Sequence, residues 1–188
     1  MSPPVGENAY FQHVCQPVFN SAPFMDITIV IRQYAEYDRW ASTRIADRLA
    51  REPDGLLDTP LQSSFPSLRA TLMHVRNAHA AWFQRMSGIP QQWPAEPSDE
   101  LGTFLKHVNV MCGYATTLPL EALMGDATYT DLKGNAHTTP RWQPLMHCFN
   151  HGSYHRGQIV SMMRQLGLDD IPATDLVVYQ RLLKKGGA

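Results

Sequence analysis

The sequence lacks a long apolar run and a strongly charged block. No apolar stretch approaches the roughly 20 residues that span a bilayer. The N-terminus does not place a charged segment before an apolar run, as a secretory signal does. The net charge is -1, and lysine and arginine form no cluster that indicates a nucleic-acid partner. The sequence therefore favours a protein that neither enters a membrane nor binds nucleic acid.

Cysteine is also scarce. Cys15, Cys112 and Cys148 are odd in number and far apart, which does not suit a disulfide framework. Reduced thiols fit a reducing compartment, so we predict a cytoplasmic location. Cys148 lies among histidines, but a buried structural thiol is its preferred interpretation.

A chain of 188 residues is long enough for one domain with its own apolar core. Residues 1–24 differ from the rest because they are rich in proline and show no periodic pattern. We predict that they form an arm of unknown role, and that residues 25–188 form the domain.

Apolar residues recur at the helical spacing of about three and four in four segments of roughly 20 residues. The predicted helices cover about 27–50, 65–87, 98–117 and 143–166. Ser64 is the predicted N-cap of the second helix, and Gly88 is predicted to end it in the left-handed conformation.

Threonine and tyrosine flank Lys133-Gly134-Asn135 and predict a small β-hairpin over about 127–138. The apolar residues after Pro172 predict a short C-terminal helix. The expected fold is therefore all-α: a four-helix bundle with a small β-hairpin between helices 3 and 4 and a short C-terminal helix.

Histidines on the fourth predicted helix indicate a metal site. His147, His151 and His155 are spaced four apart, so neighbours share one helix face, about 6 Å apart along the axis. Two such imidazoles can bind one ion at about 2.0–2.1 Å per bond. The outer two are about 12 Å apart, so one adjacent pair is expected to chelate.

A further ligand has to come from another helix. His74, His79 and His107 are the candidates, and His74 lies mid-helix between apolar residues. Three protein ligands leave a coordination position open, as in catalytic zinc sites. The spacing alone leaves open which pair binds, and whether the histidines only form hydrogen bonds.

The fourth-helix stretch His147 to Ile159, HCFNHGSYHRGQI, closely resembles a signature of the DinB/YfiT-like superfamily, approximately H-x-x-N-H-x-x-Y/H-H-R-G-Q. This is the damage-inducible four-helix-bundle group and not the translesion polymerase of the same name. Other segments resemble its first helix, its second-helix ligand motif, its hairpin and the segment after its fourth helix: Tyr37-Asp38-Arg39-Trp40-Ala41, Leu72-Met73-His74 with Trp82, Tyr129 to Gly134, and Pro172 to Leu176. Asp38 stands where the superfamily has asparagine. The resemblance runs from about residue 25 to 183.

The resemblance implies that His74, His151 and His155 bind one divalent metal ion. Zinc and nickel are the candidates, since imidazole suits both. His147 falls outside this triad and is expected to line the pocket or to act as an acid–base helper.

Around this triad we expect further residues to line the pocket or hold the ligand rings: Tyr154, Arg156, Gln158 and Trp40. For Arg156 and Gln158 a second role is equally favoured, namely hydrogen bonding across a helix interface. Trp40 is interpreted as core or pocket wall.

Several members of the superfamily are thiol-dependent S-transferases, so the resemblance favours a metal-dependent enzyme that uses a low-molecular-weight thiol on a small-molecule substrate. Hydrolysis is the close variant. The alternative is a non-catalytic metal- or ligand-binding module of a stress response. Many relatives form homodimers, and we expect one here.

Overall fold

The computed structural model describes residues 26–131 and 133–186. The predicted arm of residues 1–24 lies outside the described residues. The elements follow one another along the chain as α1 (Ile27–Leu49), a short 3₁₀ helix (Asp54–Asp58), α2 (Leu68–Ser87), α3 (Leu101–Thr117), α4 (Leu120–Met124), β1 (Asp126–Thr130), β2 (Ala136–Pro140), α5 (Trp142–Gln165) and α6 (Leu176–Lys184).

The four long helices form a bundle in which α1 and α2 each pack against both α3 and α5. The small hairpin lies between the third and fourth of these helices, with β1 against α2 and β2 against α5. Helix α6 packs on α1. The predicted all-α fold with a small hairpin is confirmed.

Side-chain caps explain where the first two helices begin. Asp26 Oδ1 accepts a hydrogen bond from the backbone N–H of Thr28 at 2.9 Å. Ser67 Oγ accepts one from Ala70 at 3.1 Å, so Ser67 and not Ser64 caps α2. The prediction of Ser64 was wrong because a hydrogen bond from Leu61 N to Pro66 O, 2.9 Å long, holds the preceding residues in a loop. Gly88 ends α2 with a φ of 67°, as predicted.

Two apolar clusters fill the bundle, one toward each end. The first is built around Ile45, Leu72, Phe104 and Met162. The second is built around Ile31, Met111, Leu145 and Phe149. No helix in residues 26–131 and 133–186 is long and apolar enough to span a membrane.

The hairpin pairs β1 with β2 in antiparallel register, from Asp126 opposite Pro140 to Thr130 opposite Ala136. Its turn is held by Asp131, whose Oδ1 accepts the backbone N–H groups of residues 133 and 135 at 2.8 and 2.9 Å. The turn needs glycine because Gly134 has a φ of 87°. The sequence did not predict α4, since five residues are too few to display a helical period.

Candidate metal centre

Helices α2 and α5 bring three imidazoles to one point. His74 Nε2 lies 3.1 Å from His151 Nε2, and His155 Nε2 lies 3.0 Å from the same atom. The potential ligand atoms all lie within 4.8 Å of one another. Two nitrogens bound tetrahedrally to one ion at about 2.0–2.1 Å are about 3.3 Å apart. The spacing of the three Nε2 atoms therefore fits a single small cation.

The three rings are held in the neutral form that a metal requires. Burial, followed by the neighbouring His155 and His74, lowers the pKa of His151 to about 3. Burial likewise lowers the pKa of His74 and of His155. At neutral pH no proton therefore has to leave before these rings bind an ion.

Gln158 orients the lone pair of His155. Its Oε1 lies 2.7 Å from His155 Nδ1 and accepts a hydrogen bond there, so the neutral ring directs an unprotonated Nε2 at the other two imidazoles. Gln158 Nε2 donates to Ser64 Oγ at 2.9 Å and to the Tyr154 hydroxyl at 3.2 Å. Gln158 thus links the ring of His155 to the loop before α2.

Phe65 covers the triad, and sequence reasoning did not identify it. Its ring stacks on His74 with centroids 4.3 Å apart and lies 5.7 Å from the ring of His155. The sequence placed Phe65 at the start of the second predicted helix, whereas it lies in the loop before α2, so helical spacing gave no signal for this contact. Shielding by an apolar ring contributes to the burial that keeps the imidazoles neutral.

The two other candidates for the third ligand lie elsewhere. His107 Nε2 pairs with Glu96 at 2.9 Å. His79 is fully buried, with Nε2 2.8 Å from Asp38 Oδ2 and Nδ1 2.9 Å from Val75 O. Both ring nitrogens of His79 are therefore engaged inside the bundle and are not directed at the triad.

Asp38 is the centre of a buried ionic network. It accepts hydrogen bonds from His79 of α2 and from Arg156 of α5. Arg156 also donates to Ser153 Oγ at 2.8 Å and to Ser42 Oγ at 3.3 Å. Burial raises the pKa of Asp38, but the charges of Arg156 and His79 outweigh it and hold that pKa below the usual 3.8.

This network ties together the helices that carry the triad. Arg156 directly follows His155, and its contacts with Asp38 and Ser42 run across the interface to α1, as the second of its two predicted roles describes. The network also requires a glycine at position 152, next to His151. A Cβ there would lie 2.7 Å from Asp38 Oδ1.

The comparison with known families agrees with the sequence motifs. The DinB family model matches residues 24–183. The chain belongs to the DinB family. A relative, protein DinB of Bacillus subtilis (strain 168), is 28% identical over 162 residues, which cover 79% of this chain and 92% of that protein. The resemblance inferred from the motifs is confirmed.

The remaining predicted site residues of this DinB-family chain take different positions. His147 is exposed, with its ring centroid 6.1 Å from that of His151, and it lines a cavity of about 340 Å³ together with Trp82. Tyr154 is 62% exposed, yet its ring lies edge-to-face against His155 with centroids 5.0 Å apart, and its hydroxyl accepts a hydrogen bond from Gln158. Trp40 is not brought to the triad, since it packs in a separate cluster with Tyr37 and Tyr179.

Proposed function

We propose that this DinB-family protein binds one divalent metal ion through His74, His151 and His155 and uses it as an enzyme acting on a small molecule. The convergence of three neutral imidazoles carries this proposal. Within the described ranges, no fourth histidine, cysteine, aspartate or glutamate joins the group. Three protein ligands are typical of catalytic rather than structural zinc sites.

The chemistry follows from the open coordination position. A divalent ion lowers the pKa of a water or thiol that it coordinates, which supplies a nucleophile at neutral pH. Imidazole donors suit both zinc and nickel. Gln158 keeps the His155 ring in the orientation that binds. His147 lies one helical turn from His151 and is exposed, so we assign it to proton transfer with the substrate.

For the reaction we propose thiol-dependent S-transfer. The sulfur of a low-molecular-weight thiol bonds to an electrophilic carbon of the substrate, and the leaving group departs with the proton that the thiol gives up. Hydrolysis is the variant of the same site, in which water takes the place of the thiol. The S-transfer assignment is supported by the DinB resemblance and by the three-ligand triad.

The first experiment measures the metal content of protein purified without chelators, by mass spectrometry. We expect about one zinc or nickel ion per chain, lost in His151→Ala. The matched control is His107→Ala, which removes a histidine that pairs with Glu96 outside the triad. A wild-type protein that is metal-free and takes up no zinc, nickel or manganese on titration would overturn the proposal.

The second experiment separates the enzyme from a non-catalytic binding module. The metal-loaded protein is incubated with bacillithiol, mycothiol or glutathione and the electrophile 1-chloro-2,4-dinitrobenzene, and the S-conjugate is measured. Conjugation that disappears with His151→Ala supports S-transfer. If the metal-loaded protein neither transfers a thiol nor hydrolyses an ester, the enzyme proposal is wrong. The function is then non-catalytic metal or ligand binding.

A further inference from the structure

A groove between the hairpin and helices α2 and α5 lies beside the triad. It consists of two cavities of about 340 and 370 Å³ that share Trp82 and Tyr129 as walls, and we call it the Trp82 groove. One cavity also contacts His147 and Thr139, and the other contacts Arg85. Each cavity is in the size range of a small-molecule site.

Aromatic rings connect the groove to the triad. The ring of Trp82 lies edge-to-face against Tyr129 and against His147, with centroids 5.1 Å apart in both pairs. The ring of His147 in turn lies 6.1 Å from that of His151. A ligand in the groove therefore contacts aromatic rings along a path that leads to the triad.

Arg85 brings a cation to the groove. Its guanidinium lies 4.9 Å from the centre of the Trp82 ring, and its Nε is buried without a hydrogen-bond partner among the described residues. No carboxylate in the described ranges forms an ion pair with Arg85 within 4.0 Å. The one charged acid that lines this cavity, Asp131, is already engaged by His137 at 3.0 Å and by Asn135 at 3.1 Å.

A buried donor without an acceptor is costly, and a guanidinium forms its strongest hydrogen bonds with carboxylates and similar anions. The other cavity contains a second such group, because Thr139 Oγ1 is buried and has no partner in the described part of the chain. Lys133 adds positive charge beside Arg85. The groove therefore combines apolar walls with the cations of Arg85 and Lys133, which face the single carboxylate of Asp131 in this lining, and with two buried polar atoms that have no hydrogen-bond partner among the described residues.

We propose that the Trp82 groove binds the substrate as an organic acid, with its carboxylate on Arg85 and its apolar body against Trp82 and Tyr129. This inference rests on the proposed function and names the substrate class. Arg85 lies about three helical turns beyond His74, or about 16 Å along α2. The substrate is therefore an extended acid whose reacting end reaches His147 and the triad.

The test uses two probes of equal shape, naphthalene-2-carboxylate and its neutral analogue naphthalene-2-carboxamide. Their affinities are measured by ligand-detected NMR titration of the metal-loaded wild type. We expect the carboxylate to bind about tenfold more tightly. In Arg85→Met, which keeps the apolar contact with Trp82, the two affinities should become equal while the metal content is unchanged. Arg164→Met, which changes an exposed arginine of α5, is the matched control and should keep the preference.

His74→Ala separates this inference from the proposed function. If the preference for the carboxylate survives in this variant while metal is lost, the anion binds at Arg85. If the preference for the carboxylate is lost in His74→Ala but kept in Arg85→Met, the carboxylate binds the metal ion. That result would overturn the proposed carboxylate site at Arg85. Equal affinities in the wild type, or no binding of either probe at millimolar concentration, would also overturn it. Metal content then reports separately on the proposed function.

Discussion

Asp38 and Arg156 form an ion pair across the centre of the bundle, and each side chain is only 2% exposed. Removing one partner of a buried pair leaves an uncompensated charge, which costs about 3–5 kcal/mol. We expect Asp38→Asn to lower the free energy of unfolding in that range, measured by urea denaturation. Asp47→Asn, an exposed position on the same helix, should change it by less than about 0.5 kcal/mol. Equal stability of the two variants would contradict a stabilising role for the network.

The same pair predicts how stability depends on pH. The pKa of Asp38 is lower in the folded chain than its usual 3.8, so its stabilisation is present above that value. It is lost as the pH falls through the folded-state pKa. The stability difference between wild type and Asp38→Asn should therefore be constant near neutral pH and shrink below about pH 4. Urea denaturation at a series of pH values measures it, and a difference that persists at the lowest pH would argue against the pair.

Two glycines of α5 provide a matched test of the packing beside the triad. A Cβ at Gly152 would lie 2.7 Å from Asp38 Oδ1 and 3.2 Å from Arg156 Nη1, whereas a Cβ at Gly157 meets nothing within 4 Å. Gly157→Ala should stabilise the protein by about 0.5–1 kcal/mol through helix propensity. Gly152→Ala should destabilise it by about 1–3 kcal/mol through overpacking. Thermal unfolding of both variants checks the opposite signs, and stabilisation by both would show that the network has room for a methyl group.

The sequence predicted the long helices and the row of histidines on the fourth helix for the same reason. Helical spacing determines both which face is apolar and which side chains share that face. Spacing alone could therefore place His147, His151 and His155 on one helix face, but it left open which adjacent pair belongs to the site. The choice of His74 over His79 and His107 needed the resemblance, because spacing carries no information about which helix lies opposite.

The sequence could not predict the buried network. Asp38 and His79 occupy core-facing positions between the two apolar clusters, where a helical pattern calls for an apolar residue. Their burial is explained by hydrogen bonds, because Asp38 contacts both His79 and Arg156. Arg156 is distant in the sequence, so helical spacing could not indicate this contact. The cap at Ser67 was missed for a similar reason, because a loop closed by one backbone bond decides where α2 begins.

Gln158 provides the most direct test of how the triad is held. Its Oε1 accepts the Nδ1 proton of His155, and the loss of such a partner typically costs 10- to 100-fold in metal affinity. We expect Gln158→Leu, which keeps the size of the side chain and removes the acceptor, to weaken zinc binding by about tenfold or more. Competition with a chromogenic chelator measures the affinity. Gln165→Leu, at the exposed end of α5, should bind zinc like the wild type.

The fold of the Gln158 variant has to be intact for this comparison, and far-UV circular dichroism with the thermal midpoint checks it. Because Gln158 also donates to Ser64 and Tyr154, its removal could act through the loop rather than through His155. Ser64→Ala removes the loop contact alone and should leave the affinity nearly unchanged. An equal loss of affinity in Ser64→Ala and Gln158→Leu would assign the effect to the loop, and unchanged affinity in both would show that the His155 ring is held by its packing against Phe65 and His74.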